Sequence, residues 1–213
     1  LPEGKGTKNY KNDNVYRGLW KNGKKNGRGI YVKDNKIIQG VWTNDTLNKN
    51  VITLFSDSND KYIGDMSELI FNGKGQYYFS NGEKYMGDFK EGLFHGKGTY
   101  YCGDEIVYNG DYLHNERTGK GVIYYNSSDL FERYEGDIVK GKHEGKGKLY
   151  YKNGFIYEGE FRNGEFEGMG ELKMSKSKYT GEFKKGKADG YGVMEYNDGR
   201  KYIGEWVNNL KHG

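Results

Sequence analysis

Residues 85–99 read YMGDFKEGLFHGKGT, from Tyr85 to Thr99. Tyr85, Gly87 and Phe89 alternate with polar neighbours, which is the two-residue period of a strand. The polar break at Glu91-Gly92 is followed by a second alternation through Gly96, Gly98 and Tyr100. Two alternating runs around a short glycine-containing break predict a β-hairpin. The same block recurs through the chain. Tyr-x-Gly-acid-apolar returns at Tyr134, Tyr157 and Tyr202, further copies start at Tyr16, Tyr62, Tyr108 and Tyr179, and a weaker copy starts at Ile38. Successive starts lie 22 to 26 residues apart, and seven of the nine copies carry Gly-x-Gly eleven residues after their start. Self-similarity at this period is the mark of a repeat architecture.

With each repeat numbered from its tyrosine, position 5 is Trp20, Trp42, Met66, Phe89, Tyr112, Ile138, Phe161, Phe183 and Trp206. Position 8 is glycine in five copies, as in Asn22-Gly23 and Asn163-Gly164, and Asn-Gly is a tight-hairpin signal. Glycine inside a strand implies close approach of another group. The glycines at positions 3, 12 and 14 share a face with the aromatic residues, so rings from neighbouring hairpins are expected to lie over them. The resulting aromatic spine comprises Tyr16, Trp20, Tyr62, Tyr85, Phe89, Tyr108, Tyr134, Tyr157, Phe161, Tyr179, Phe183, Tyr202 and Trp206. One hairpin cannot bury its own rings, so the fold must stack. The prediction is an all-β chain: an elongated single-sheet solenoid of about nine antiparallel hairpins filling residues 1–213.

Composition agrees. Only 34% of residues are hydrophobic, against ~45–50% in an ordinary globular domain. Aromatic residues nevertheless reach 16%, with 35 glycines and a single proline, Pro2. A disordered segment would be poor in aromatics. The lone Cys102 rules out an internal disulfide and points to a reducing, cytoplasmic setting; at position 18 it reads as a buried filler. No apolar run approaches the ~20 residues of a membrane-spanning helix. Both ends fall inside a repeat, which suggests a piece of a longer protein.

The pattern of Tyr-x-Gly-acid-aromatic followed by Gly-x-Gly, at a period near 23 residues, resembles the MORN (membrane occupation and recognition nexus) repeat. The resemblance covers almost the whole chain. It implies a rod of hairpins with a grooved face used for binding or self-association, and it brings no catalytic residues. Arrays of this kind occur in cytoskeletal scaffolds, membrane-junction proteins, ciliary spoke proteins, phosphoinositide kinases and a histone methyltransferase. Some dimerise through one end. Repeat two lacks Gly-x-Gly and has Asp45 at position 8; repeat three has Met66 at position 5 and Leu69 at position 8; repeat five carries an insertion over 126–133.

No reaction chemistry emerges, and no cofactor or metal is implied. Gly96-Lys97-Gly98 lacks the Walker spacing and sits inside a strand rather than before a helix. His95, His114, His143 and His212 are read as not converging. Position 4 is acidic from Asp65 onward (Asp88, Asp111, Asp137, Glu160, Glu182, Glu205), and position 13 is basic at Arg28, Lys74, Lys97, Lys120 and Lys146. With position 3 facing 14, position 4 should face 13 in an ion pair of the same hairpin, contributing ~1 kcal/mol or less. Carboxylates spaced ~10 Å apart along a sheet are not a glycosidase pair.

Two binding features remain. The first is the aromatic groove. The second is a set of basic turns, Lys21, Lys24, Lys25 and Arg28, then Lys140, Lys142, Lys146 and Lys148, then Lys184, Lys185 and Lys187. These are candidate contacts for anionic phospholipid or an acidic partner. Nucleic acid is not expected, because acidic residues are interleaved throughout. The leading reading is a non-enzymatic scaffold, peripheral at a membrane or cytoskeleton, with a protein partner. The alternatives are a phosphoinositide-binding module and the regulatory arm of a larger enzyme. A homodimer is expected through residues after about Tyr179, with Phe183 and Trp206 at the contact, because Trp206 would sit on a strand lacking its partner.

Overall fold

The computed structural model describes all 213 residues. All 20 strands belong to one open antiparallel sheet, and there is no α-helix. The chain forms two compact units: Leu1–Ile106 with Leu113–Asn115, and Val107–Tyr112 with Glu116–Gly213.

Each repeat is a hairpin, as in Glu83–Lys90 paired with Leu93–Cys102 and Ile156–Arg162 paired with Glu165–Lys173. The nine turns inside the repeats hold positive φ at both central residues, from Asn22 (51°) and Gly23 (78°) to Asn208 (49°) and Asn209 (69°). That geometry matches the twist of the flanking strands and is easiest for Gly and Asn. Neighbouring turns are tied together. The position 8 N–H donates to the position 10 carbonyl of the preceding hairpin, for example Gly92 to Phe71 at 2.9 Å and Gly186 to Phe166 at 3.0 Å. Leu69 breaks the turn chemistry at φ 65°, where a side chain costs about 1–2 kcal/mol. Leu69→Gly is therefore expected to raise the urea midpoint, with a net gain of about 0.5–1 kcal/mol after the entropy of the added glycine. A lower midpoint would show that Leu69 packing outweighs the strain.

The register makes a row of glycines across each unit. In the first unit Gly6 faces Gly18, Gly29 faces both Gly18 and Gly40, and Gly75 faces both Gly64 and Gly87. In the second, Gly121, Gly136, Gly147, Gly159, Gly170, Gly181, Gly192 and Gly204 pair in sequence. The ring above each pair comes from the same hairpin, not from a neighbour as the sequence led us to expect. A Cβ on Gly159 or Gly170 would lie 2.5 Å from the Tyr157 hydroxyl. The tyrosine leans along its own strand and donates its hydroxyl to the position 4 carbonyl, as Tyr157 does to Glu160 at 2.9 Å and Tyr62 to Asp65 at 2.6 Å. Its own strand and the next hairpin supply the edges: Tyr157 meets Phe161 of its own strand at 5.1 Å and Phe183 of the next hairpin at 5.0 Å, both near perpendicular. Such edge-to-face pairs add about 0.5–1.5 kcal/mol each beyond burial. Of the predicted spine only Tyr202 is half-buried; the other twelve rings are buried.

A further core position was hidden in the sequence. Position 10 stacks flat on the tyrosine: Phe71 on Tyr62, Phe94 on Tyr85 and His143 on Tyr134, each at 3.8 Å, and Phe166 on Tyr157 at 3.6 Å. Burial pushes His143 down to about 4. Its unfolded value is near 6.5, so the unfolded chain takes up the proton first. Stability is complete above about pH 6.5 and falls toward pH 4, by roughly 2–3 kcal/mol at the lower end. His143→Phe should flatten that part of the pH–stability curve; an unchanged slope would place the titration elsewhere.

Repeat two, from Ile38, shows the rule by its exception. Ile38 replaces the tyrosine and Val51 replaces the position 14 glycine, and both are fully buried. Without the ring, the valine has room. The insertion in repeat five only lengthens the connection between Glu116–Tyr124 and Phe131–Val139. It closes on itself through Asn126 N–H to Asp129 Oδ2 at 3.0 Å and Ser128 N–H to Asn126 Oδ1 at 3.1 Å.

Candidate functional site

The tyrosine lock uses up one face of the sheet. The opposite face carries positions 2, 4, 13 and 15, with the glycine backbone running between their two rows. Three expectations change here. First, position 4 faces position 11, not 13, because a bulge intervenes: Asp88 lies opposite His95, and the register slips before Gly98. The first glycine of Gly-x-Gly occupies that bulge at positive φ, 58° at Gly96 and 59° at Gly145, a conformation suited to glycine. The position 4 carboxylate then accepts the exposed position 13 N–H, from Lys97 to Asp88 at 3.1 Å, Lys120 to Asp111 at 2.9 Å and Lys146 to Asp137 at 3.1 Å. The lysine ammonium reaches the next hairpin instead: Lys74 to Asp88 and Lys120 to Asp137, both at 2.6 Å. The hydrogen bond from Lys120 is the main reason the Asp137 carboxyl is held below its usual range.

Second, Phe183 and Trp206 are not uncovered. A short strand, Leu210–His212, pairs with Lys201–Val207. Trp206 is buried, 5.1 Å from Tyr179 and 5.3 Å from Tyr202, and its Nε1 donates to the Gly192 carbonyl at 3.4 Å. Phe183 is buried between Tyr157, Phe166 and Tyr179. Neither can form a dimer contact without opening its own hairpin. Third, Cys102 is exposed, not a core filler.

The histidines also deserve correction. His95 and His114 do meet, with ring centroids 5.5 Å apart, but no group of three His, Cys, Asp or Glu side chains could hold a metal.

The predicted basic residues divide between two places. Lys21, Lys24, Lys140, Lys142, Lys184, Lys185 and Lys187 are exposed at the hairpin turns. Lys21 stands opposite Lys24 and Lys184 opposite Lys187 in the strand register. Lys187 also reaches Asn208 Oδ1 at 3.2 Å. Lys25 instead folds over the tyrosine face, 4.9 Å from the Tyr31 ring centre, and burial lowers its ammonium. Arg28, Lys146 and Lys148 lie on the glycine face, where Lys148 pairs with Glu158 at 3.1 Å.

A concavity of about 960 Å³ lies on the glycine face of the first unit. Leu19, Ile30, Val41 and Ile52 line it, each 37–42% exposed. Lys5, Arg17 and Arg28 supply its charge, and no carboxylate lines it. The sequence reading passed over this groove, because its aliphatic residues alternate with core residues and look like ordinary strand composition.

These features define an open β-hairpin repeat protein. The MORN repeat family matches residues 16–36, 62–84, 85–105, 108–130, 134–155, 157–176, 179–199 and 202–213, and the chain belongs to that family. The repeat from Ile38 is outside the match, consistent with its altered core. The family is generally non-enzymatic, and its repeats are consistent with a protein- or membrane-interaction module. No curated protein matches the chain. Among solved structures, the wild-type TCP10 domain of Danio rerio CPAP is similar at 11% identity, covering 95% of this chain and 100% of its own, with a TM-score of 0.26. That score is too low to carry a structural argument.

Proposed function

We propose that the array is a non-enzymatic interaction scaffold whose glycine face receives a protein partner. The observation that carries this reading is the uncovered aliphatic row Leu19, Ile30, Val41 and Ile52, in a groove whose charged lining residues are all cations. Exposed apolar surface collected in a groove with a polar rim marks a binding site more often than a solvated face. The family resemblance adds the setting, a cytoplasmic membrane–cytoskeleton boundary. Affinity capture with the whole chain tests the reading. Ile30→Glu with Ile52→Glu should remove specific protein capture while leaving the thermal midpoint near wild type, since both side chains point away from the core. Full capture by this variant, or no protein capture by wild type, would defeat it.

A second reading has its own observation. The like-charged pairs Lys21 with Lys24 and Lys184 with Lys187 have no carboxylate at ion-pair distance. Pairs of this kind favour an anionic surface, at about 1 kcal/mol per base. Flotation with vesicles containing anionic lipid separates the two readings. Lipid binding predicts recovery that fades with salt and is lost in Lys184→Ser with Lys185→Ser and Lys187→Ser; scaffold-only function predicts none.

A further inference from the structure

In the middle repeats the charge ladder of the glycine face is complete. A cation at position 13 meets the position 4 acid of the next hairpin, as in Lys74 with Asp88 and Lys120 with Asp137. Toward each end of the chain the ladder is half-filled, and opposite halves are missing. At the amino-terminal end the cations stay and the acids are gone: Lys5 stands opposite Leu19, and Arg28 opposite Val41. At the carboxy-terminal end the acids stay and the cations are gone: Met169 stands opposite Glu182, and Tyr191 opposite Glu205. None of Lys5, Arg28, Glu182 and Glu205 has an oppositely charged side chain at ion-pair distance, and all four are exposed. The replacing residues are themselves exposed, Met169 at 55% and Tyr191 at 57%, beside Ile203 at 55%.

We propose that the glycine face of the amino-terminal repeats binds the glycine face of the carboxy-terminal repeats of a second copy of this chain. Lys5 and Arg28 of one copy supply the cations missing beside Glu182 and Glu205 of the other, while Leu19 and Val41 pack against Met169 and Tyr191. The inference rests on the glycine face being a binding surface, as proposed above. It goes further by naming the occupant, because the absent half of each ladder is present in the same chain at the same repeat positions. Charge selects the pairing, since like ends repel, and the apolar contacts add affinity. One such contact is heterologous and extends as a chain or closes into a ring, whereas two made at once between the same copies form a two-fold dimer.

Sedimentation velocity on the full chain at micromolar concentration tests this. Wild type should associate with increasing concentration and dissociate at high salt. Lys5→Glu with Arg28→Glu should weaken association at least about 100-fold, as should Glu182→Lys with Glu205→Lys, by setting like charges together. An equimolar mixture of the two variants should associate again, because each then presents the complement of the other; restoration also shows that both are folded. Wild type that stays monomeric, variants that associate like wild type, or a mixture of monomeric variants that stays monomeric would each overturn the proposal. If self-association fails while Ile30→Glu with Ile52→Glu still abolishes protein capture, the scaffold reading survives and the second copy is excluded as occupant. If neither behaviour responds to these substitutions, both readings fall.

Discussion

Replacing Tyr157 by alanine should cost about 4 kcal/mol, the upper range for removing a buried aromatic ring. Tyr157 is fully buried, stacks on Phe166 at 3.6 Å, and meets Phe161 and Phe183 edge-on at 5.1 and 5.0 Å. Three rings therefore lose a neighbour at once. Two glycines beneath it, Gly159 and Gly170, have no side chain with which to fill the cavity. Tyr157→Phe should cost only about 1 kcal/mol, the value of its hydrogen bond to the Glu160 carbonyl. Because stability in a repeat array is largely a nearest-neighbour sum, amide exchange should show the loss first in Ile156–Arg162 and Glu165–Lys173 and in the strands paired to them. Equal costs for the alanine and phenylalanine variants would mean that the ring contributes nothing beyond its hydroxyl.

Replacing Gly170 by valine is expected to cost about 3 kcal/mol by overpacking. A Cβ there would meet the Tyr157 hydroxyl at 2.5 Å and Cε2 at 2.7 Å, and Gly170 does not occupy the left-handed backbone region. Valine is otherwise a favoured strand residue. The whole penalty thus comes from the ring above. A denaturation midpoint at or above the wild-type value would show that the tyrosine can move aside freely.

The repeat, its strands and its turns were legible from the sequence because each is fixed by a local rule. Alternation set the strands, and paired turn residues such as Asn163-Gly164 set the hairpins. What escaped was non-local. The bulge at Gly96 depends on where the register slips, although a glycine within a strand was a usable signal for it. Position 10 holds Phe94, Arg117, His143 and Ala188 in different copies, so no composition marks it as core until the ring beneath is seen. The ion pairs were assigned to the correct residue types but to the wrong hairpin, since one bulge moves Lys120 from Asp111 to Asp137. The groove on the glycine face depends on which side of the sheet is already occupied. That became apparent only when the tyrosines proved to cover their own glycines.

The central claim is that each tyrosine and its position 14 glycine form one unit, filling one face of the hairpin and leaving the other for binding. Ile38 with Val51 is the natural counterpart in which both members change together. The direct test is a double-mutant cycle in urea on Tyr157→Ile and Gly170→Val. The lock predicts that the double variant is more stable than Gly170→Val alone, with a coupling of about 2 kcal/mol. Costs that simply add would contradict it.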